Sequence, residues 1–82
     1  MKALIIDDEK KARNLLQVLI EENCPQITDI ELAENLPSGI KLIHSFKPDV
    51  VFLDIEMPGY SGLQLLEFLT PDQINFEISF SE

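Results

Sequence analysis

The chain has 82 residues, with 15 acidic side chains against 6 basic ones and a formal net charge of −9. That length leaves room for one domain, and the excess of carboxylates argues against direct nucleic-acid binding, which needs clustered Lys and Arg to neutralise phosphates. An apolar share of 45% suits a folded chain better than a disordered one, and the single cysteine, Cys24, excludes both an intramolecular disulfide and a cysteine metal cluster.

The first element expected is a strand over Ala3–Ile6, a short fully apolar run of the kind buried on both faces of a parallel sheet. The run is ended by Asp7 and Asp8, so "MKALIIDDEKK" does not read as a signal peptide, and no apolar run approaches a membrane span. With one cysteine, this makes a cytoplasmic protein the expectation. From Lys10 to Asn23, Ala12, Leu15, Leu16, Leu19 and Ile20 recur at helical spacing, and Pro25 stops the helix. "ITDIELA" alternates loosely, as an exposed or edge strand does. "LPSGIKLIHSFKP" predicts a short second helix with Ile40, Leu42, Ile43 and Phe46 on one apolar face, closed by Pro48. Val50–Leu53 is a second doubly buried strand. Ser61 is the expected N-cap of a third helix over Gly62–Leu69, with its leucines in the core, and "INFEISF" is a final strand.

The order β-α-β-α-β-α-β argues for an α/β fold with right-handed crossovers. In such sheets, sites form outside the carboxyl ends of the strands, where the strand order reverses. Both strongly apolar strands end in aspartate there: Ile6 precedes Asp7, Asp8 and Glu9, and Leu53 precedes Asp54. If the two strands are neighbours, about 5 Å apart, Asp7, Asp8 and Asp54 converge on one pocket. Like charges at that distance repel and raise one another's pKa unless a cation neutralises them. Mg²⁺, which takes oxygen ligands from a few carboxylates and water, is the natural partner. A plainer role exists for Glu9, which stands where acidic residues favour a helix N-terminus. Capping does not account for Asp54, which no helix start follows.

"LIIDDE" at Leu4–Glu9 and "DVVFLDIEMPGYSGLQLL" at Asp49–Leu66 resemble the receiver domain of a two-component response regulator. The chain is similar to the amino-terminal portion of that family, nearest to receivers that precede LytTR-type DNA-binding domains. The resemblance implies a parallel flavodoxin-like (CheY-like) sheet, here reduced to about (βα)3β. It implies Asp54 as phosphoacceptor, Asp8 as the principal Mg²⁺ ligand with Asp7 beside it, and the backbone carbonyl of Glu56 as a further ligand. It also implies a sensor histidine kinase as phosphodonor, a role for the first helix in docking that kinase, and transcription regulation through an effector domain. Such a receiver is not an enzyme beyond catalysing its own phosphorylation and dephosphorylation.

The family carries two further βα units after the fourth main strand, and residues 1–82 carry none. A hydroxyl expected at the end of that strand has only Ser79, Ser81 or the position of Glu82 to occupy, and the lysine of the fifth strand has no counterpart. The expectations that follow are impaired phosphorylation and a homodimer or swapped oligomer that buries the bare sheet. A receiver-shaped scaffold that does not accept phosphate is the alternative. A Mg²⁺-dependent phosphohydrolase of the haloacid dehalogenase type wants Asp-x-Asp after the first strand, whereas here the aspartates are adjacent. His44, without a partner motif, and Cys24, beside Pro25, read as a surface residue and a half-buried helix end.

Overall fold

The computed structural model of the chain describes residues 1–81. Its elements are β1 (Lys2–Ile6), α1 (Lys10–Asn23), β2 (Asp29–Ala33), α2 (Leu36–Phe46), β3 (Val50–Asp54), β4 (Glu56–Met57), β5 (Tyr60–Ser61), a 3₁₀ helix (Gly62–Glu67), a second 3₁₀ turn (Pro71–Gln73) and β6 (Glu77–Ser81). Four strands form one parallel sheet in the order β2-β1-β3-β6. The apolar run Ala3–Ile6 lies at the centre and is at most 1% exposed, as a doubly covered strand requires.

Alternation along the strands divides the core. Leu4 and Ile6 of β1, Val51 and Leu53 of β3 and Ala33 of β2 pack with Leu36 and Ile43 of α2 and with Leu65 and Leu69. Ala3, Ile5 and Val50 point the other way and are buried outside that cluster, on the α1 side. From β1 the chain moves to β2 and then crosses back over β1 to β3. The strand order therefore reverses between the carboxyl ends of β1 and β3, where a crevice forms.

The helices follow from local chemistry. The Asn35 side chain caps α2, its Oδ1 accepting from Ser38 N–H at 2.9 Å, and Pro37 occupies an early position that needs no donor. Lys47 ends the helix in the left-handed region at φ 54°. Gly39 allows α2 to lie flat on the sheet, because a Cβ there would stand 2.5 Å from Ile6 Cδ1. In α1 the residues that meet the sheet are spaced by four: Ala12, Leu16 and Ile20, of which Ile20 is buried. Leu15 and Leu19, expected on the same apolar face, are 61% and 46% exposed, with Val18 beside them. A helix resting on one layer of sheet buries a narrow stripe, and these three lie outside it.

The third helical segment differs from the expected α-helix over Gly62–Leu69. Ser61 does cap it: Leu63 N–H donates to Ser61 Oγ at 3.3 Å, and Gln64 Oε1 accepts from Ser61 N–H at 2.9 Å. The turns that follow are 3₁₀, covering Gly62–Glu67. Leu65 and Leu69 enter the core as read from the sequence, but Leu63 and Leu66, three apart and so stacked on one line in a 3₁₀ helix, are exposed. Among the described residues only one side of this segment packs on the core, and helices this short depend on packing. An element the sequence reading did not foresee precedes it. β4 and β5 pair antiparallel around Pro58–Gly59, with Gly59 at φ 78°, as the third position of a type II turn requires.

A three-carboxylate cleft at the strand ends

β1 and β3 are hydrogen-bonded neighbours, with Ile6 opposite Leu53. The residues that follow therefore emerge side by side. One carboxylate oxygen from each of Asp7, Asp8 and Asp54 lies within 4.8 Å of the others. The convergence expected from the sequence is thus present in the geometry. A cleft of about 240 Å³ opens here, lined by Asp7, Glu9, Ala12, Asp54 and Glu56.

The three carboxylates are not equivalent. Asp54 is the buried one, 9% exposed. Burial pushes its carboxyl above the usual carboxylate range; the Glu56 N–H, donating to Asp54 Oδ1 at 3.1 Å, opposes the shift, while Asp7 and Asp8 add to it by charge repulsion. Asp7 is tied into the loop instead, its Oδ1 accepting from Glu9 N–H at 2.9 Å. Glu9 stands at the N-cap position of α1 without a side-chain capping bond, so its carboxylate is left at the mouth of the cleft. The Glu56 side chain is exposed, and its backbone stays at the cleft through the bond to Asp54.

The end of β3 is shaped by a close backbone approach. Gly62 N–H donates to Ile55 O at 2.7 Å. A Cβ on Gly62 would lie 2.2 Å from the Asp54 carbonyl oxygen and 2.9 Å from Ile55 Cα, so only glycine fits. On the other side of β3, the β6 register sets Ser81 opposite Asp54 and Ser79 opposite Phe52. Ser79 is therefore two residues short of the level of Asp54, and Glu82 lies outside the described residues. His44 is exposed in the last turn of α2, and Cys24 is half-buried at the end of α1, as the sequence suggests. Arg13, which the sequence alone reads with Lys10 and Lys11 as part of a solvated helix face, donates from Nη1 to the Asp7 carbonyl at 2.7 Å. Its place, one turn into the helix that follows the acidic loop, was the available signal.

A parallel α/β sheet whose two central strands deliver carboxylates to the switch point defines a class, the receiver. The model of the response regulator receiver domain matches residues 3–80, and the chain belongs to that family. It is 50% identical over 72 residues to an uncharacterized response regulatory protein of Vibrio cholerae, covering 88% of this chain and 30% of that one. It is 41% identical over 88 residues to the transcriptional regulatory protein BtsR of Escherichia coli, covering all of this chain and 35% of BtsR. The chain thus spans about a third of the length of these relatives. Among solved structures, the signal receiver domain of a DNA-binding response regulator from Colwellia psychrerythraea superposes with a TM-score of 0.84 at 32% identity, covering 98% of this chain and 66% of that one. The MaeR response regulator bound to beryllium trifluoride superposes at 0.88 with 20% identity, over 99% and 66% of the two chains, a likeness of fold. Among the described residues, no helix is long and apolar enough to cross a membrane.

Proposed function

We propose that Asp54 is the phosphoacceptor of a two-component relay, taking its phosphoryl group from a histidine kinase. The observation that carries this reading is the pairing of one buried carboxylate with two more solvated ones in the same cleft. A carboxylate oxygen of Asp54 attacks phosphorus, the phosphorus–nitrogen bond of the phosphohistidine breaks, and the imidazole leaves with the electron pair. Glu56 N–H holds Asp54 Oδ1 and so orients the carboxylate for that attack.

The cleft also fits a divalent cation. Its donor set is all oxygen, as Mg²⁺ prefers, and its unneutralised repulsion is what a cation relieves. Asp7 and Asp8 would hold it, with Asp54 and the Glu56 carbonyl. When bound, Mg²⁺ supplies charge neutralisation for the oxygens of a transferring phosphoryl group. A relative named as a transcriptional regulator supports an output in transcription, and a cytoplasmic site for the chain follows from that role.

The test is beryllofluoride binding to the chain with and without Mg²⁺, followed by fluorine NMR. Saturable binding that needs Mg²⁺ and disappears in Asp54→Ala is expected, and binding that survives in Asp54→Ala overturns the assignment. A second reading, a self-associating scaffold, is favoured by the exposed Leu63, Leu66, Phe68 and Phe80. A monomer in sedimentation velocity at high concentration removes it.

A further inference from the structure

Arg13 is the fourth residue of α1 and reaches back to the strand end, where its half-buried bond from Nη1 to the Asp7 carbonyl measures 2.7 Å. Asp7 is thereby held at three points. Its N–H donates to Ala33 O at 3.1 Å, its carbonyl accepts from Arg13, and its Oδ1 accepts from Glu9 N–H at 2.9 Å. The backbone N–H of Arg13 donates in turn to Glu9 O at 3.0 Å. Four bonds therefore close the loop from Asp7 to Glu9, and Asp8 is the residue between them. A guanidinium donating to a carbonyl is charge-assisted and directional, unlike a mobile surface cation.

We infer that Arg13 is a positioning residue for cation affinity: by holding the Asp7 carbonyl it keeps Asp7 and Asp8 in the arrangement that receives the metal. The inference rests on the Mg²⁺ reading above. Two effects of the guanidinium oppose one another, and their signs differ. As a positive charge near the cleft it repels a cation, an effect that solvent and salt screen. As a donor it pre-organises the ligands, and partners of this kind typically govern affinity by roughly 10–100-fold. Positioning wins, so removing Arg13 weakens cation binding although it removes a positive charge.

The experiment titrates Mg²⁺ into the chain, Arg13→Ala and Arg13→Lys by calorimetry, and follows amide hydrogen exchange of the metal-free proteins. Arg13→Ala is expected to weaken Mg²⁺ about tenfold, with Arg13→Lys recovering part of the loss. Unchanged or tighter binding in Arg13→Ala overturns the inference. In the metal-free variant Glu9 N–H is expected to exchange faster while Ile5 N–H stays protected, and an unchanged Glu9 rate also overturns it. A parent chain that does not bind Mg²⁺ overturns the affinity claim together with the reading beneath it. The Glu9 rate, which needs no metal, still reports whether Arg13 holds the loop, so the two failures are distinguishable.

Discussion

The two strand ends that make the cleft are held in different ways. At the end of β1, side chains share the holding with the backbone bond from Asp7 N–H to Ala33 O: Arg13 on the Asp7 carbonyl, Asp7 Oδ1 on Glu9 N–H, and Gly39 of α2 resting against the Ile6 side chain. At the end of β3 close backbone packing dominates, with Gly62 pressed against the Asp54 carbonyl and bonded to Ile55 O, and the Glu56 N–H bond to Asp54 Oδ1 beside it. Side chains can turn to accommodate a change, whereas packed backbone cannot. The cleft thus has one wall held mainly by packed backbone, carrying the buried carboxylate, and one held largely through side-chain hydrogen bonds, carrying the more solvated pair.

That contrast can be broken most directly at the two glycines. Gly62→Ala would put a Cβ 2.2 Å from a carbonyl oxygen, and a loss of about 3 kcal/mol, the upper part of overpacking costs, is expected in urea unfolding. A loss below about 1 kcal/mol would mean that the β3 wall yields as easily as the other.

Asp54→Asn is expected to move stability the opposite way. Burial raises the folded-state pKa of Asp54, so the folded protein binds this proton more tightly than the unfolded chain. The group's contribution is most favourable below its unfolded pKa and is lost as pH rises through the raised folded value. In metal-free buffer at neutral pH, Asp54→Asn should therefore melt at a higher temperature than the parent. The advantage should shrink as the pH is lowered through that window, and thermal scans across pH check the sign. An advantage that grows on acidification would contradict the burial argument.

Gly39→Ala gives the β1 counterpart. The new methyl meets Ile6 Cδ1 at 2.5 Å, the far end of a flexible side chain, while the helix gains about 1 kcal/mol from replacing glycine. A net change within about 1 kcal/mol of zero is expected by chemical denaturation. The smallest effect belongs to Asp7→Asn, whose amide oxygen can still accept from Glu9 N–H. Its stability should stay within about 0.5 kcal/mol of the parent, and a larger loss would make the β1 wall as unforgiving as that of β3.

Much of the molecule was legible in the chain because its two central strands are buried on both faces and so written as uninterrupted apolar runs. Asp7, Asp8 and Asp54 stand at the ends of those runs, and a parallel register carries them together once β1 and β3 are neighbours. Ser61 reads as a cap and is one. What escaped was set by surroundings. The Pro58–Gly59 pair signals a turn, but β4 and β5 are two residues each, too short for an alternating pattern. Leu63 and Leu66 have the composition of a core helix, yet they stay exposed, and the segment closes into 3₁₀ turns. Arg13 looks like any charged residue on a helix, and its role depends on where the Asp7 carbonyl points.

The sequence by itself determined the strand runs, the carboxylates that end them, and the glycine and proline positions of the turn beyond Asp54. Those are local matters of burial, propensity and backbone freedom. The tertiary structure alone decided that Asp54 is the buried carboxylate, that Gly62 must lack a side chain and that Arg13 is tied to Asp7. Each of these depends on how elements far apart in the chain meet across the sheet. Desolvation, close approach and hydrogen-bond direction exist only once they have met.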